Sequence, residues 1–203
     1  ALGSLPLVAR PGTRFLYGYS TDLVGLIIER LLDQTLDKAM SQLLFEPLGM
    51  MNTGFRARVE EHATMPRAAE KDAGWHQFYG GFEGVERSLE QAKADLAEAP
   101  LLSGGGGLVS TLDDMARFAR ALANRAQVDG VPLLSPALFD QMVSNHLPDS
   151  SDGPNGFIGS GWGFGLGGAV RHSSGAAAVP SNPGEFTWSG VTGQSLFVDP
   201  ASG

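Results

Sequence analysis

Two stretches at opposite ends of the chain hold the residues best suited by type and setting to do chemistry. Near the start stands Phe15-Leu16-Tyr17-Gly18-Tyr19-Ser20-Thr21-Asp22-Leu23-Val24-Gly25, which puts Tyr17 on a turn just ahead of an apolar helix. A phenol with an ordinary pKa of about 10 is a poor base at neutral pH. Beside a lysine ammonium in a dry site it is held closer to phenolate and can take a proton from a serine hydroxyl. Near the end stands Gly184-Glu185-Phe186-Thr187-Trp188-Ser189-Gly190. A Trp-x-Gly on an edge strand can turn backbone N–H groups toward a developing oxyanion, with glycine allowing close approach. Each has a plainer reading. Tyr17 is also what a packing residue ahead of a helix looks like, and Trp188 is also what a core aromatic beside a hairpin looks like.

Other patterns point away from particular chemistries. The run Gly104-Gly105-Gly106-Gly107 has no Lys-Ser/Thr after it and does not fit GxGxxG. It therefore reads as a connection where backbones pass closely, not as a phosphate loop. His62, His76, His146 and His172 show no paired metal spacing, so neither a metal nor a cofactor is expected. No serine sits in GxSxG. The only [Ser/Thr]-x-x-Lys match, Thr35-Leu36-Asp37-Lys38, reads better as a helix cap with a solvated lysine.

The elements that must position these residues follow from periodicity and caps. Ser20, Thr21 and Asp22 are N-cap candidates for a first helix. Its Leu23, Ile27 and Leu31 recur at helical spacing, and Val24 and Ile28 widen the stripe, so it should be largely buried. Thr35 should cap a second helix, from about Leu36 to Phe45, that Pro47 stops. Ser110 or Thr111 should cap a third, with Asp113 and Asp114 suited to the dipole and Met115, Phe118, Ala119 and Leu122 inward. Ser135-Pro136 opens a fourth, carrying Leu138, Phe139, Met142 and Val143. Strand candidates are Trp162 to Leu166, Glu185 to Ser189 and Gln194 to Asp199. Helices bracketed by antiparallel strands predict an α+β fold, a three-layer α/β/α arrangement. Residues 56–100 have weak periodicity, mixing glycines with Trp75, Phe78, Tyr79 and Phe82 before a charged, helix-like stretch; they read as a lid or cap insertion or as a surface excursion.

Composition sets bounds. The 203 residues are 42% hydrophobic and 18% charged, enough for one core. A net charge of −8 and scattered basic residues argue against nucleic acid as a partner. Without cysteines there are no disulfides, thiol nucleophiles or cysteine-bound metals in these residues. The apolar runs are too short to span a bilayer, so no membrane partner is expected. The opening Ala1-Leu2-Gly3-Ser4-Leu5-Pro6 has no signal-peptide pattern, which leans toward a cytoplasmic location. Val198-Asp199-Pro200-Ala201-Ser202-Gly203 reads as a strand entering a turn without its return strand. The chain is therefore expected to be a portion, 1–203, of one larger hydrolase domain.

In order and spacing, the landmarks together resemble the β-lactamase-related serine hydrolases, most closely the family VIII carboxylesterases. They are Tyr17 with Ser20 to Gly25, Pro47-Leu48-Gly49-Met50 with Thr53, Gly104 to Thr111 with Asp114, Gly161 to Gly165, Trp188-x-Gly190, and Asp199-Pro200. The resemblance implies a penicillin-binding-protein-like fold and acyl transfer through a serine in Ser-x-x-Lys, with lysine and tyrosine sharing the proton. It matches the family's catalytic tyrosine to Tyr17. It places Tyr19 where penicillin-binding enzymes carry Asn, and Trp188-Ser189-Gly190 on the family's Lys-Thr-Gly strand, in oxyanion and substrate binding. A phenol cannot replace a carboxamide's donor and acceptor pair, and the lost lysine removes a cation for a substrate carboxylate. Both departures favour a small neutral ester over a β-lactam. The Ser-x-x-Lys helix has no match, so the fragment alone should be inactive, and the rest of the same protein is an expected partner. A β-lactamase or D-Ala-D-Ala peptidase is the alternative enzyme; a catalytically degenerate binding module is the alternative outside enzymes.

Overall fold

The first helix, α1 (Ser20–Leu32), ends where Asp33 turns left-handed at φ 51°. A computed structural model describes residues 6–55, 102–147, 159–173, 181–190 and 194–202, so the 56–100 segment expected as a lid lies wholly outside the described residues. The cap residues do not act as expected. Tyr19 occupies the N-cap position, no side chain caps the helix, and Ser20 is its first residue. The apolar stripe is not buried either: Val24 is 50% exposed, Ile27 55% and Leu31 78%. Only Gly25 is buried. Along one side of α1, Ile28, Leu31 and Leu32 line a shallow apolar hollow with Ala39, Met40 and Leu43, and its first turns meet the segment 103–105 through Asp22 and Gly25.

The second helical stretch starts as α2 (Leu36–Met40). Its first N–H is satisfied not by Thr35 but by Glu29 of α1, whose Oε1 accepts from Leu36 N at 2.9 Å. The Thr35 hydroxyl instead holds the Asp37 carboxyl below its ordinary pKa. Pro47 does not stop this stretch. It continues through a π-helical turn (Ser41–Phe45) into α3 (Glu46–Leu48), and Gly49 ends it at φ 66°. Proline lacks an N–H and crowds the carbonyl four residues back. A wider turn immediately before Pro47 relieves that crowding, so the helix survives to Leu48.

α4 (Leu112–Ala123) is the hub. Thr111 caps it as expected, accepting from Asp114 N at 3.3 Å. Ala121 faces a cluster with Phe45, Leu48 and Met50. Leu122 faces a second, with Ala126, Phe139 and Val198, and Phe118 touches both. Asp114 is not a solvated dipole partner: it is 2% exposed. Its Oδ2 accepts from Asn52 N and from Thr53 Oγ1, each at 2.8 Å. Alongside, Gly54 and Val109 exchange backbone hydrogen bonds at 3.0 and 2.8 Å. Past α4, β1 (Gln127–Val128) and β2 (Val131–Pro132) form a hairpin that was not expected. Its turn is Asp129-Gly130, both with positive φ, the two-residue turn that matches strand twist. Ser135 caps α5 (Pro136–Met142), accepting from Leu138 N at 3.3 Å.

The sheet is an antiparallel meander in the order β3-β4-β5-β6: β3 (Trp162–Phe164), β4 (Ala169–Arg171), β5 (Phe186–Ser189) and β6 (Ser195–Val198). β4, unforeseen, is wholly buried. β5 is an inner strand, not the expected edge. Register pairs Phe186 with Val198 and Trp188 with Leu196. Phe186, Leu196 and Val198 pack on the α4–α5 cluster, so these helices form one layer on the sheet. Phe197 points the other way and is 70% exposed. After β6, hydrogen bonds from Ser202 and Asn182, both at 2.6 Å, hold the Asp199 carboxyl below its ordinary pKa. No described helix is long and apolar enough to cross a membrane. Asp114→Ala removes the acceptor of the Asn52 amide and one of the two partners of the Thr53 hydroxyl, which keeps Ser110 Oγ at 2.7 Å. It should lower the unfolding free energy by about 1–3 kcal/mol, read by urea denaturation.

Candidate active site

Tyr17 reaches the sheet through a chain of rings. The segment leading to it, Phe15-Leu16-Tyr17, lies against the β3 and β5 region. The Phe15 and Phe164 centroids are 5.0 Å apart. Phe164 meets Trp188 edge-on at 5.2 Å. Trp188 meets Tyr17 at 5.4 Å with the planes tilted by 44°. All three separations suit the quadrupole-favoured tilted and edge-to-face arrangements. The phenol and the Trp-x-Gly strand, distant in sequence, therefore share one side of the molecule. Tyr17 itself is 57% exposed, and one side of its ring rests on Trp188.

Tyr19 stands at the start of α1, 73% exposed, two residues beyond Tyr17. Ser189 lies at the end of β5, opposite Ser195, and their hydroxyls bond at 2.8 Å. Gly190 differs from expectation. Its N–H does not face an open site; it donates to the Gln194 carbonyl at 2.8 Å and closes the β5–β6 hairpin. A Cβ there would lie 2.5 Å from Gln194 Nε2 and would push that flexible side chain aside. The structure thus brings Tyr17, Trp188, Ser189 and Gly190 to one end of the sheet, with Tyr19 outward of them.

Sequence reasoning missed two contributors. Phe164 joins Tyr17's segment to Trp188 from inside the Trp162-Gly163-Phe164-Gly165 run. Phe164 N is held by Asn145 Oδ1 at 3.1 Å, and a Cβ at Gly163 would overlap that same carboxamide. The alternation of aromatic and glycine was the available signal. The other contributor is Asp22, which accepts from Ser103 Oγ at 2.5 Å; nothing in the local pattern links those positions. Among the described residues no cluster of three or more His, Asp or Glu could hold a metal ion.

If the ring contacts hold the Tyr17 segment in place, Trp188→Ala should release it. Amide hydrogen exchange over Leu16 to Gly18 should then quicken several-fold and by at most about tenfold, the equivalent of the ~0.5–1.4 kcal/mol that the one Tyr17–Trp188 pair supplies, since Phe15 still meets Phe164. Phe197→Ala, on the opposite face, should leave that exchange unchanged.

Comparison with known proteins agrees with this architecture. The beta-lactamase family model matches residues 1–203. Esterase EstB of Burkholderia gladioli is 32% identical over 213 residues, covering 100% of this chain and 50% of EstB. Protein Rv1367c of Mycobacterium tuberculosis is 32% identical over 212 residues, covering 100% of this chain and 50% of that protein. The solved structure of EstCE1, a hydrolase with promiscuous acyltransferase activity, superposes with a TM-score of 0.74 at 30% identity, covering 99% of this chain and 52% of EstCE1. The chain spans about half the length of these relatives. Family match, relatives and superposed fold agree: the chain belongs to the beta-lactamase family, among the β-lactamase-related serine hydrolases.

Proposed function

We propose that the complete protein is a serine carboxylesterase forming an acyl-enzyme on short, neutral esters. The observation that carries the reading is the contact of Tyr17 with Trp188 at 5.4 Å. It sets Tyr17, the candidate proton-transfer group, beside the strand that would line a substrate. The names of EstB, an esterase, and EstCE1, a hydrolase with acyltransferase activity, support ester chemistry. The nucleophilic serine and its lysine, in Ser-x-x-Lys, would come from sequence outside these 203 residues.

In the first half-reaction the serine Oγ adds to the ester carbonyl carbon while its proton passes to the pair formed by the Tyr17 hydroxyl oxygen and the lysine amine. Collapse of the tetrahedral intermediate breaks the bond to the alcohol oxygen, and the same proton returns to that leaving oxygen. In the second half-reaction water adds to the acyl-serine and gives its proton to the same pair. The acid is released and the serine regains its proton. Gly190's N–H is engaged within the hairpin, so its part here is steric, and the oxyanion donors lie elsewhere. Trp188 offers an apolar ring where a β-lactam's carboxylate would need a cation, and Tyr19 is a solvent-facing phenol, 73% exposed. Both favour an uncharged substrate.

The test uses the complete protein and p-nitrophenyl butyrate. Tyr17→Phe keeps the ring against Trp188 and removes only the hydroxyl; turnover should fall about 10²-fold or more, the scale of a lost acid–base group. Tyr19→Phe should cost less. Activity of Tyr17→Phe within a few-fold of wild type would remove Tyr17 from the mechanism. On substrate class, the butyrate ester should be turned over far faster than a chromogenic cephalosporin; comparable rates would overturn the ester preference.

A further inference from the structure

We propose that the hydrogen bond from Ser103 to Asp22 is a positioning pin for Tyr17, and that the glycine run after Ser103 is shaped to let it form; this rests on the reading of Tyr17 as the proton-transfer group. The run at 104–107 suits no phosphate, and the proposed chemistry does not otherwise use it. The structure presses it against the first turn of α1. Ser103 Oγ donates to Asp22 Oδ1 at 2.5 Å. Gly105 N points at the same pair, 3.4 Å from Asp22 Oδ1 and 3.3 Å from Ser103 Oγ. A Cβ at Gly104 would overlap the Thr21 carbonyl, and one at Gly105 would lie 2.9 Å from Asp22 Oδ2 and 3.0 Å from Thr21 Oγ1. A Cβ at Gly25 would lie 3.4 Å from Gly104 Cα. Gly106, one residue on, would meet nothing within 4 Å. Glycine is thus needed at Gly104, where the clash is with backbone, and a Cβ at Gly105 would push on the Asp22 and Thr21 side chains.

The local cost identifies what the contact is for. Ser20, Thr21 and Asp22 are all good caps, yet α1 has no side-chain cap. The Asp22 carboxylate is spent on a residue 81 positions away instead. A sequence that forgoes a local preference in this way commonly does so at a functional site. Tyr17 is 57% exposed, so burial does not fix its hydroxyl. Among the supports of its segment are, first, the ring contacts of Tyr17 with Trp188 and of Phe15 with Phe164 and, second, the place where α1 begins, with Leu23 N bonded to Tyr19 O at 3.4 Å. The Ser103–Asp22 bond sets that second support. A shift of about 1 Å in a proton-transfer group is enough to cost orders of magnitude in rate.

The test measures p-nitrophenyl butyrate hydrolysis by the complete protein with Ser103→Ala, Ser103→Thr, Tyr17→Phe and the double variant Ser103→Ala/Tyr17→Phe. Ser103→Ala should lower kcat about tenfold while KM moves less than about threefold. Ser103→Thr should restore at least half of the lost kcat. In the Tyr17→Phe background, Ser103→Ala should cost less than about twofold, because the group it positions is gone. Gly105→Ala, which presses on Asp22 without deleting a hydroxyl, should reproduce the kcat loss, and thermal melting confirms that each variant is folded. A Tyr17→Phe defect accompanied by wild-type kcat in Ser103→Ala and Gly105→Ala overturns this proposal alone. The same tenfold loss in both backgrounds also overturns it, since Ser103 would then act through something other than Tyr17. Near-wild-type turnover by Tyr17→Phe overturns the reading of Tyr17, and the proposal with it.

Discussion

The stacking of Phe15 and Tyr17 on Phe164 and Trp188 is the contact on which the candidate site depends. Without it, the turn ahead of α1 and the β5–β6 hairpin are two ends of a chain with no reason to meet. With ring centroids 5.0 to 5.4 Å apart, each pair is worth about 0.5–1.5 kcal/mol beyond its buried area. That is small against the whole fold but large for a surface turn. It also explains why Tyr17 can be more than half exposed and still have a defined place.

Behind that contact stands α4, which joins the two hydrophobic clusters through Phe118, Ala121 and Leu122. Its buried Asp114 ties the helix start to the Asn52-Thr53 turn. The carboxylate spends two hydrogen bonds on a backbone amide and a hydroxyl, the satisfied arrangement that makes a buried charge tolerable. The paired backbones of Gly54 and Val109 run beside it. The helical segment before residue 55 and the segment entering α4 are thereby locked across a long stretch of sequence. The Asp22–Ser103 bond and the close approach of Gly25 to Gly104 extend the same lock to α1.

One side of the molecule contrasts with this. Most of the apolar stripe of α1 is open, and Phe197 stands exposed on the sheet face away from α4 and α5. The chain covers about half of EstB and of EstCE1, and those two open apolar faces are where the described half carries surface that its own elements do not bury.

The sequence by itself determined the family pattern, three of the four strands and the caps at Thr111 and Ser135. These rest on local chemistry: alternation, helical spacing and hydroxyl caps act over a few residues and read the same in any context. It also marked Tyr17 and Trp188-Ser189-Gly190 as a site, because motif order survives without coordinates. Only the tertiary structure decided the rest. A wider turn carried the helix past Pro47, which a local rule says should end it. The missed Asp129-Gly130 hairpin was legible in the sequence, whereas the buried strand Ala169–Arg171 is too short to show a period. Asp22 and Asp114 looked like a cap and a dipole partner because an acidic residue in a first helical turn satisfies both local rules. Their true partners, Ser103, Asn52 and Thr53, are between 61 and 81 positions away. Gly190's amide was assigned to a substrate because motif logic sees a strand but not its neighbour; pairing with β6 gave that N–H to Gln194. Whether a polar group caps, cross-links or stays available is set by which partner the fold brings within 3 Å, and no local pattern contains that distance.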